Sequence, residues 1–274
     1  PEKLTDSSLF DLTDSMFGTL NNPGKLFFDD LELIEGEEEV ASVPKILGSP
    51  KPTSIQLYLE QADQEIRDLY HYNSEEALIR GNKMYWHKTD TYDWKADDQK
   101  SVLNKVKTGQ DKQRTIIRPI KRGAKFKGKV RFENLSAIEL GALLFVLKLK
   151  DNYCHKIGMG KPYGLGSIKI GIELFFSDRK KRYQSLTEEW KGLNSDNNKI
   201  DEFTQQFSNA IWEKLNPNHI GKSLWVHPRL GQLRRILDWE KKPLDEKTEY
   251  MSLEDFRLRM VLPTPKEIID ADKP

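Results

Sequence analysis

Cysteine is almost missing from this chain: Cys154 stands alone among 274 residues. A single cysteine excludes an internal disulfide and any multi-cysteine zinc site, and it suits a reducing cytoplasm. The five histidines, His71, His87, His155, His219 and His227, fall at no metal-ligand spacing, so no metal site and no resident cofactor are expected. Long apolar runs are missing as well. None approaches the roughly 20 residues that a membrane-spanning helix needs, and no membrane partner is expected. Net charge is close to absent, with Lys+Arg 44 against Asp+Glu 43. Such a balance ordinarily argues against a nucleic-acid partner, yet the charges are segregated. Residues 29–39 hold seven acids in eleven positions, and residues 118–131 hold seven bases in fourteen. The basic block, rather than the chain average, is what a polyanion would meet.

Glycine, by contrast, is concentrated. The run Gly158-Met159-Gly160-Lys161-Pro162-Tyr163-Gly164-Leu165-Gly166 reads as a phosphate-approaching loop, because glycine admits φ > 0 and successive exposed N–H groups cradle anions. Upstream, Lys125 to Phe132 alternates strictly, with Phe126, Gly128, Val130 and Phe132 on one face and Lys125, Lys127, Lys129 and Arg131 on the other. That period predicts a strand. Ser136 to Glu139 spells a capping box, Leu135 and Leu140 sit at the two positions of a hydrophobic staple, and Leu140, Leu143, Leu144 and Leu147 form a helical stripe. After the loop, Ile168, Ile170, Ile172 and Leu174 alternate again and predict a second strand. The glycine loop is therefore expected between a helix and a strand, the reverse of a P-loop.

The punctuation predicts four segments: residues 1–43, with one strand from Leu26 to Leu33; a proline-rich, polar insertion over 44–115 holding a strand at Ser54 to Leu59; a legible half-domain over 116–178; and a mostly helical extension over 179–274. Phe203, Phe207, Ile211 and Leu215 mark one helix of that extension, and Leu230, Leu233 and Leu237 a second. Trp190, Trp212, Trp225 and Trp239 are spread through it as core or subunit contacts.

A capped leucine-rich helix followed by Gly-x-Gly-Lys-Pro-x-Gly-Leu-Gly-Ser and a strand resembles the RAMP (repeat-associated mysterious protein) superfamily of CRISPR effector subunits. Phe17-Gly18 with Gly24-Lys25-Leu26-Phe27-Phe28-Asp29-Asp30 is similar to a stretch of type III backbone subunits. Lys51 to Ser54, Arg80 to His87 and Phe256 to Pro263 resemble one large subfamily. The resemblance implies an α+β, ferredoxin-like (RRM-related) domain with a large insertion and a helical C-terminal extension. It further implies a cytoplasmic antiviral ribonucleoprotein in which the chain binds guide RNA, meets complementary target RNA and stands beside other RAMP subunits. Related domains begin with a strand and helix ahead of the Phe-Gly element. The short polar lead-in here, and Pro1, lead us to expect a fragment, a processed product or one portion of a larger polypeptide. Target-cleaving relatives carry a catalytic aspartate in that early region, and no residue of this sequence aligns with it.

Several residues are candidates for the chemistry. Four cations on one strand face, about 6–7 Å apart from the strand rise, match the phosphate spacing of a single strand. The other reading is a solvated sheet face. Arg118, Lys121 and Arg122 extend the same patch. In the glycine loop, Gly158, Gly160, Gly164 and Gly166 bring backbone to the RNA, Lys161 is the phosphate partner, and Tyr163 is either a base-stacking platform or a packed turn residue. Tyr85, Trp86 and His87, after Arg80 and Lys83, suit either stacking or core packing. Weak candidates for RNA cleavage are His155 as a general acid or base, and Asp29 and Asp30 with a divalent metal. Two alternative readings stay open: an RNA endonuclease subunit, for target cleavage or repeat processing, and an interaction subunit that binds no RNA.

Overall fold

The computed structural model describes residues 11–48, 54–61, 65–177, 183–184, 187, 192–251 and 253–270. Over these it is a mixed α/β protein with small antiparallel sheets and seven α-helices. No described helix is long and apolar enough to cross a membrane. Trp190 and Lys51 to Thr53 lie outside the described residues. The chain forms two compact units, one from Pro1–Glu37, Arg122–Lys150 and Ile170–His227, the other from Glu38–Lys121, Asp151–Lys169 and Pro228–Pro274.

In the first unit, α1 (Leu12–Phe17) opens on an acidic capping box: Asp11 accepts the Asp14 N–H at 2.8 Å and Asp14 accepts the Asp11 N–H at 3.4 Å. The strand expected from Leu26 to Leu33 is broken into β1 (Leu26–Phe28) and β2 (Glu32–Glu35), and the one expected from Lys125 to Phe132 into β3 (Lys125–Lys127) and β4 (Val130–Phe132). Antiparallel pairing joins β1 to β4, with Leu26 opposite Phe132, and β2 to β3, with Glu32 opposite Lys127. The Asp29 N–H donates to the Lys129 carbonyl at 3.0 Å and carries the pairing across the break. The four strands are thus one kinked ribbon. Gly128 allows the kink, since a Cβ there would strike the Leu31 side chain.

Next, α3 (Ala137–Leu147) starts on the expected capping box, Ser136 accepting from the Glu139 N–H and Glu139 from the Ser136 N–H. Its stripe builds the core: Leu140, Leu144, Leu174 and Ile200 are buried, with Phe132, Leu135, Ile172, Phe176 and Phe203 packed against them. Leu135 and Leu140 meet in that cluster, as a staple requires. Ile200 and Phe203 come from α4 (Lys199–Leu215), which packs on α3. A glycine inside a helix costs about 1 kcal/mol relative to alanine. Gly141 is kept because a Cβ would land on the Phe203 carbonyl, so it sets how closely the helices approach. The strand expected over 168–174 is shorter and lies elsewhere: β6 (Ser167–Ile168) ends early, and β7 (Phe175–Ser177) pairs with β8 (Leu193–Ser195).

In the second unit, Ser54 to Leu59 is a 3-10 turn (Ile55–Tyr58) rather than the expected strand. Gln56 and Leu57 are buried by that turn, a spacing that period-two alternation cannot deliver. The helix α2 (Gln99–Lys107) covers a small core of Val43, Ala96 and Val102. Gln99 holds its base like a strand partner, accepting the Val43 N–H at 2.9 Å and donating to the Val43 carbonyl at 2.8 Å. Also here are β5 (His155–Lys156), paired antiparallel with β6, and the helices α5 (Pro228–Leu237), α6 (Leu253–Arg257) and α7 (Pro265–Asp270).

Candidate nucleic-acid interface

The glycine run does not join a helix to a strand. It is the loop of a hairpin between β5 and β6, because the two residues before Ile157 already pair with Ser167 and Ile168. The Ile157 N–H donates to the Gly166 carbonyl at 2.8 Å and lengthens the ladder into the loop. Gly166 is the residue that permits this, since a Cβ would land on the Ile157 carbonyl oxygen. The tip, Lys161–Tyr163, is a 3-10 turn flanked by Gly160 and Gly164, both left-handed at φ 72° and 83°. Its own bonds use the amides of Tyr163, Gly164 and Leu165. The amides of Gly158, Met159 and Gly160 have no acceptor among the described residues, and with Gly158 and Gly160 at positive φ they form a short open nest.

Lysines surround this nest. Lys161 donates to the Gly158 carbonyl, so its ammonium closes its own loop rather than standing free. Lys156, half-buried on β5, donates to the Gly164 and Leu165 carbonyls at 2.8 and 3.1 Å. Burial, helped by the nearby charges of Lys242, Lys88 and Lys161, lowers its pKa to about 8. Lys88 is buried; it donates to Thr248 Oγ1 at 2.6 Å, and its stem lies against Gly164, where a Cβ would approach it to 2.7 Å. Carboxylates already stand among these lysines: Asp245, Glu249 and Glu246 act on Lys88, and Lys242 pairs with Asp90 at 3.7 Å.

His87 anchors the hairpin from below. It is 1% exposed, within 2.8 Å of Ser167 Oγ through Nδ1 and 3.1 Å of the Cys154 carbonyl through Nε2. A carbonyl only accepts, so Nε2 carries the proton and Nδ1 accepts from the Ser167 hydroxyl. Burial and then the Lys156 charge lower the imidazole pKa to about 4, keeping it neutral at pH 7. Tyr163 packs near Trp94, at 6.4 Å between ring centroids, and its hydroxyl donates to the Lys45 carbonyl at 2.7 Å. Lys83 donates to the Tyr250 hydroxyl at 3.2 Å and lies over the Tyr85 ring, while Arg80 donates to the Leu262 carbonyl at 2.7 Å. These side chains hold the C-terminal segment of their own unit.

The basic stripe stands against acids. Lys125 pairs with Glu35 at 2.6 Å, Lys127 lies opposite Glu32, and Arg131 meets Asp29 at 3.2 Å. Farther along, the Glu39 N–H donates to the Pro119 carbonyl at 2.7 Å, and Glu38 bridges to Ile120 beside Lys121 and Arg122. The acidic and basic runs are therefore cross-strand partners: Lys125 and Arg131 are ion-paired, whereas Lys127 and Lys129 have no ion pair among the described residues. Arg118 and Lys121 share a unit with the hairpin, whereas Arg122 and the stripe from Lys125 to Arg131 belong to the other.

Of the cleavage candidates, Asp29 accepts from Arg131, Asp30 sits exposed in the ribbon kink, and His155 is half-buried on β5. Among the described residues no group of three or more His, Cys, Asp or Glu is placed to hold a metal. Sequence reasoning missed Lys156, Lys88 and Lys242 as neighbours of the loop. The only available signal was Lys156 itself, two residues before Gly158. No protein-family model matches the chain. No curated protein matches it either.

Proposed function

We propose that this chain is a guide-RNA-holding subunit of a type III CRISPR ribonucleoprotein, built on a ferredoxin-like RAMP domain with a large insertion. The observation that carries the reading is the glycine hairpin: a nest of open amides with Lys156 and Lys161 bonded into the same loop. Backbone amides and lysines recognise phosphate oxygens without reading bases, as a guide-holding subunit requires, because base pairing with the target supplies the specificity. In the stripe from Lys125 to Arg131, Lys125 and Arg131 are already compensated, which leaves Lys127 and Lys129 for a phosphate backbone. Other RAMP subunits would stand beside it, and target RNA would reach it through the guide.

The test is to recover the tagged protein from its native host, extract any nucleic acid and sequence it. Short RNAs that share one repeat-derived end are the expected result. Heterogeneous RNA, or none, overturns the guide-strand role.

A further inference from the structure

A cleft of about 310 Å³ lies in the second unit, away from the glycine hairpin in sequence, among Gln56, Ile66, Arg67, Leu69, Tyr70, His71, Tyr72 and Arg259. Its chemistry is one-sided. Among the described residues, Arg67 and Arg259 line it, no carboxylate does, and neither guanidinium has an ion-pair partner. Gln56 is 8% exposed, its backbone carbonyl accepts from Gln61 Nε2 at 3.1 Å, and its side-chain amide makes no hydrogen bond to a described residue. His71 accepts the Asn73 N–H at Nδ1, 3.2 Å away, which leaves Nε2–H as a donor.

Arg259 adds a second observation. It closes α6 with φ 51°, in the left-handed region, donating its N–H to the Phe256 carbonyl at 3.2 Å. Glycine or asparagine is usual at such a helix end, and an arginine there carries strain without any benefit to the turn. The side chain it contributes to the cleft gives that position a purpose.

We propose that this cleft binds a nucleoside phosphate. Arg67 and Arg259 hold the phosphate as charge-assisted donors. Tyr70, in the lining, offers a face for a flat ring, and the Gln56 amide, donor and acceptor together, meets the edge of the base. The volume falls at the low end of the roughly 300–1,000 Å³ usual for ligand sites, enough for one nucleotide. That nucleotide is either free or one unit of an RNA strand. The site does not rest on the guide-strand reading.

The experiment is calorimetric titration of the full chain with the four nucleoside monophosphates, with inorganic phosphate, and with a short single-stranded oligouridylate. Wild type is compared with Arg67→Gln, Gln56→Ala and Arg259→Gly. Each arginine variant weakens nucleotide binding by about tenfold or more, the effect of one guanidinium–phosphate contact. Arg259→Gly does so with its melting temperature held or raised, because glycine accepts the left-handed backbone. Loss seen with monophosphates assigns a free nucleotide; loss seen with the oligonucleotide alone assigns a strand unit. Binding that ignores both arginine variants overturns the site, and so does inorganic phosphate binding as tightly as any nucleotide.

Discussion

Glu139 offers the most direct check on the energetics of the first unit. It is 5% exposed, accepts from Lys25 Nζ at 2.6 Å and Ser15 Oγ at 2.6 Å, and closes the α3 capping box through the Ser136 N–H at 2.7 Å. Burial alone would raise its pKa, but the hydrogen bonds from Lys25, Ser15 and Ser136 outweigh it and bring the value from 4.5 to about 2. At about 1.4 kcal/mol for each pH unit, that difference contributes about 3 kcal/mol of stability. The folded carboxyl is the stronger acid, so this stability is fully present above about pH 4.5 and is lost as pH falls toward 2. Glu139→Gln cannot titrate. Urea unfolding of both proteins across that interval should show wild type ahead by about 3 kcal/mol at neutral pH, less whatever the amide still bonds. The lead should shrink steadily as the pH drops. A gap that stays constant from neutral pH to about pH 2 would refute the assignment. Glu139→Ala goes further: it leaves the Lys25 ammonium without its partner and removes the cap, for a loss of about 3–5 kcal/mol.

Other outcomes follow from the same reasoning. His87 should make wild type lose up to about 3 kcal/mol as pH falls from 6.5 toward 4, because the unfolded imidazole takes a proton that the folded one refuses; in urea melts of His87→Gln that slope should vanish. Gly141→Ala should destabilise by about 2 kcal/mol or more despite alanine's better helix propensity, since its Cβ meets the Phe203 carbonyl; a rise in melting temperature would contradict the close α3–α4 approach. If the hairpin carries RNA, Lys161→Gln should lower the slope of log affinity against log salt by about 0.7, the value for one single-strand phosphate. Lys125→Gln should leave that slope unchanged, as Glu35 already compensates Lys125.

Local signals were legible where local physics decides. Ser136, Glu139, Leu135 and Leu140 act within one turn of α3, and each does in the structure what its spacing predicts. The existence of α4 and α5 was equally plain, but not the buried face of α4, which is Ile200, Ser208 and Trp212 while Leu215 of the expected stripe is exposed. Strand lengths were not, because alternation continues through Gly128 while the backbone bends there against Leu31. The flanks of the glycine loop were hidden for another reason: β5 is only two residues long, too short to carry a period. Charge was the most misleading signal. Seven bases in fourteen positions read as a surface for a polyanion, but cross-strand register sets Lys125 and Arg131 against Glu35 and Asp29. Register is a property of two segments about a hundred residues apart, and neither segment announces it. The cleft of Arg67 and Arg259 was illegible for the same reason, since nearly two hundred residues separate its two cations.

The pairing of Glu38 with Ile120 means that the excursion from residue 39 to residue 119 leaves and returns at one point. Closing such a loop has an entropic cost that grows only with the logarithm of its length, about 0.6 kcal/mol for each doubling. Closure is therefore a small cost beside what the enclosed residues bury, the core of Val43, Ala96 and Val102 included. What the length of the excursion governs is rate, because two ends far apart in sequence must meet before either gains anything.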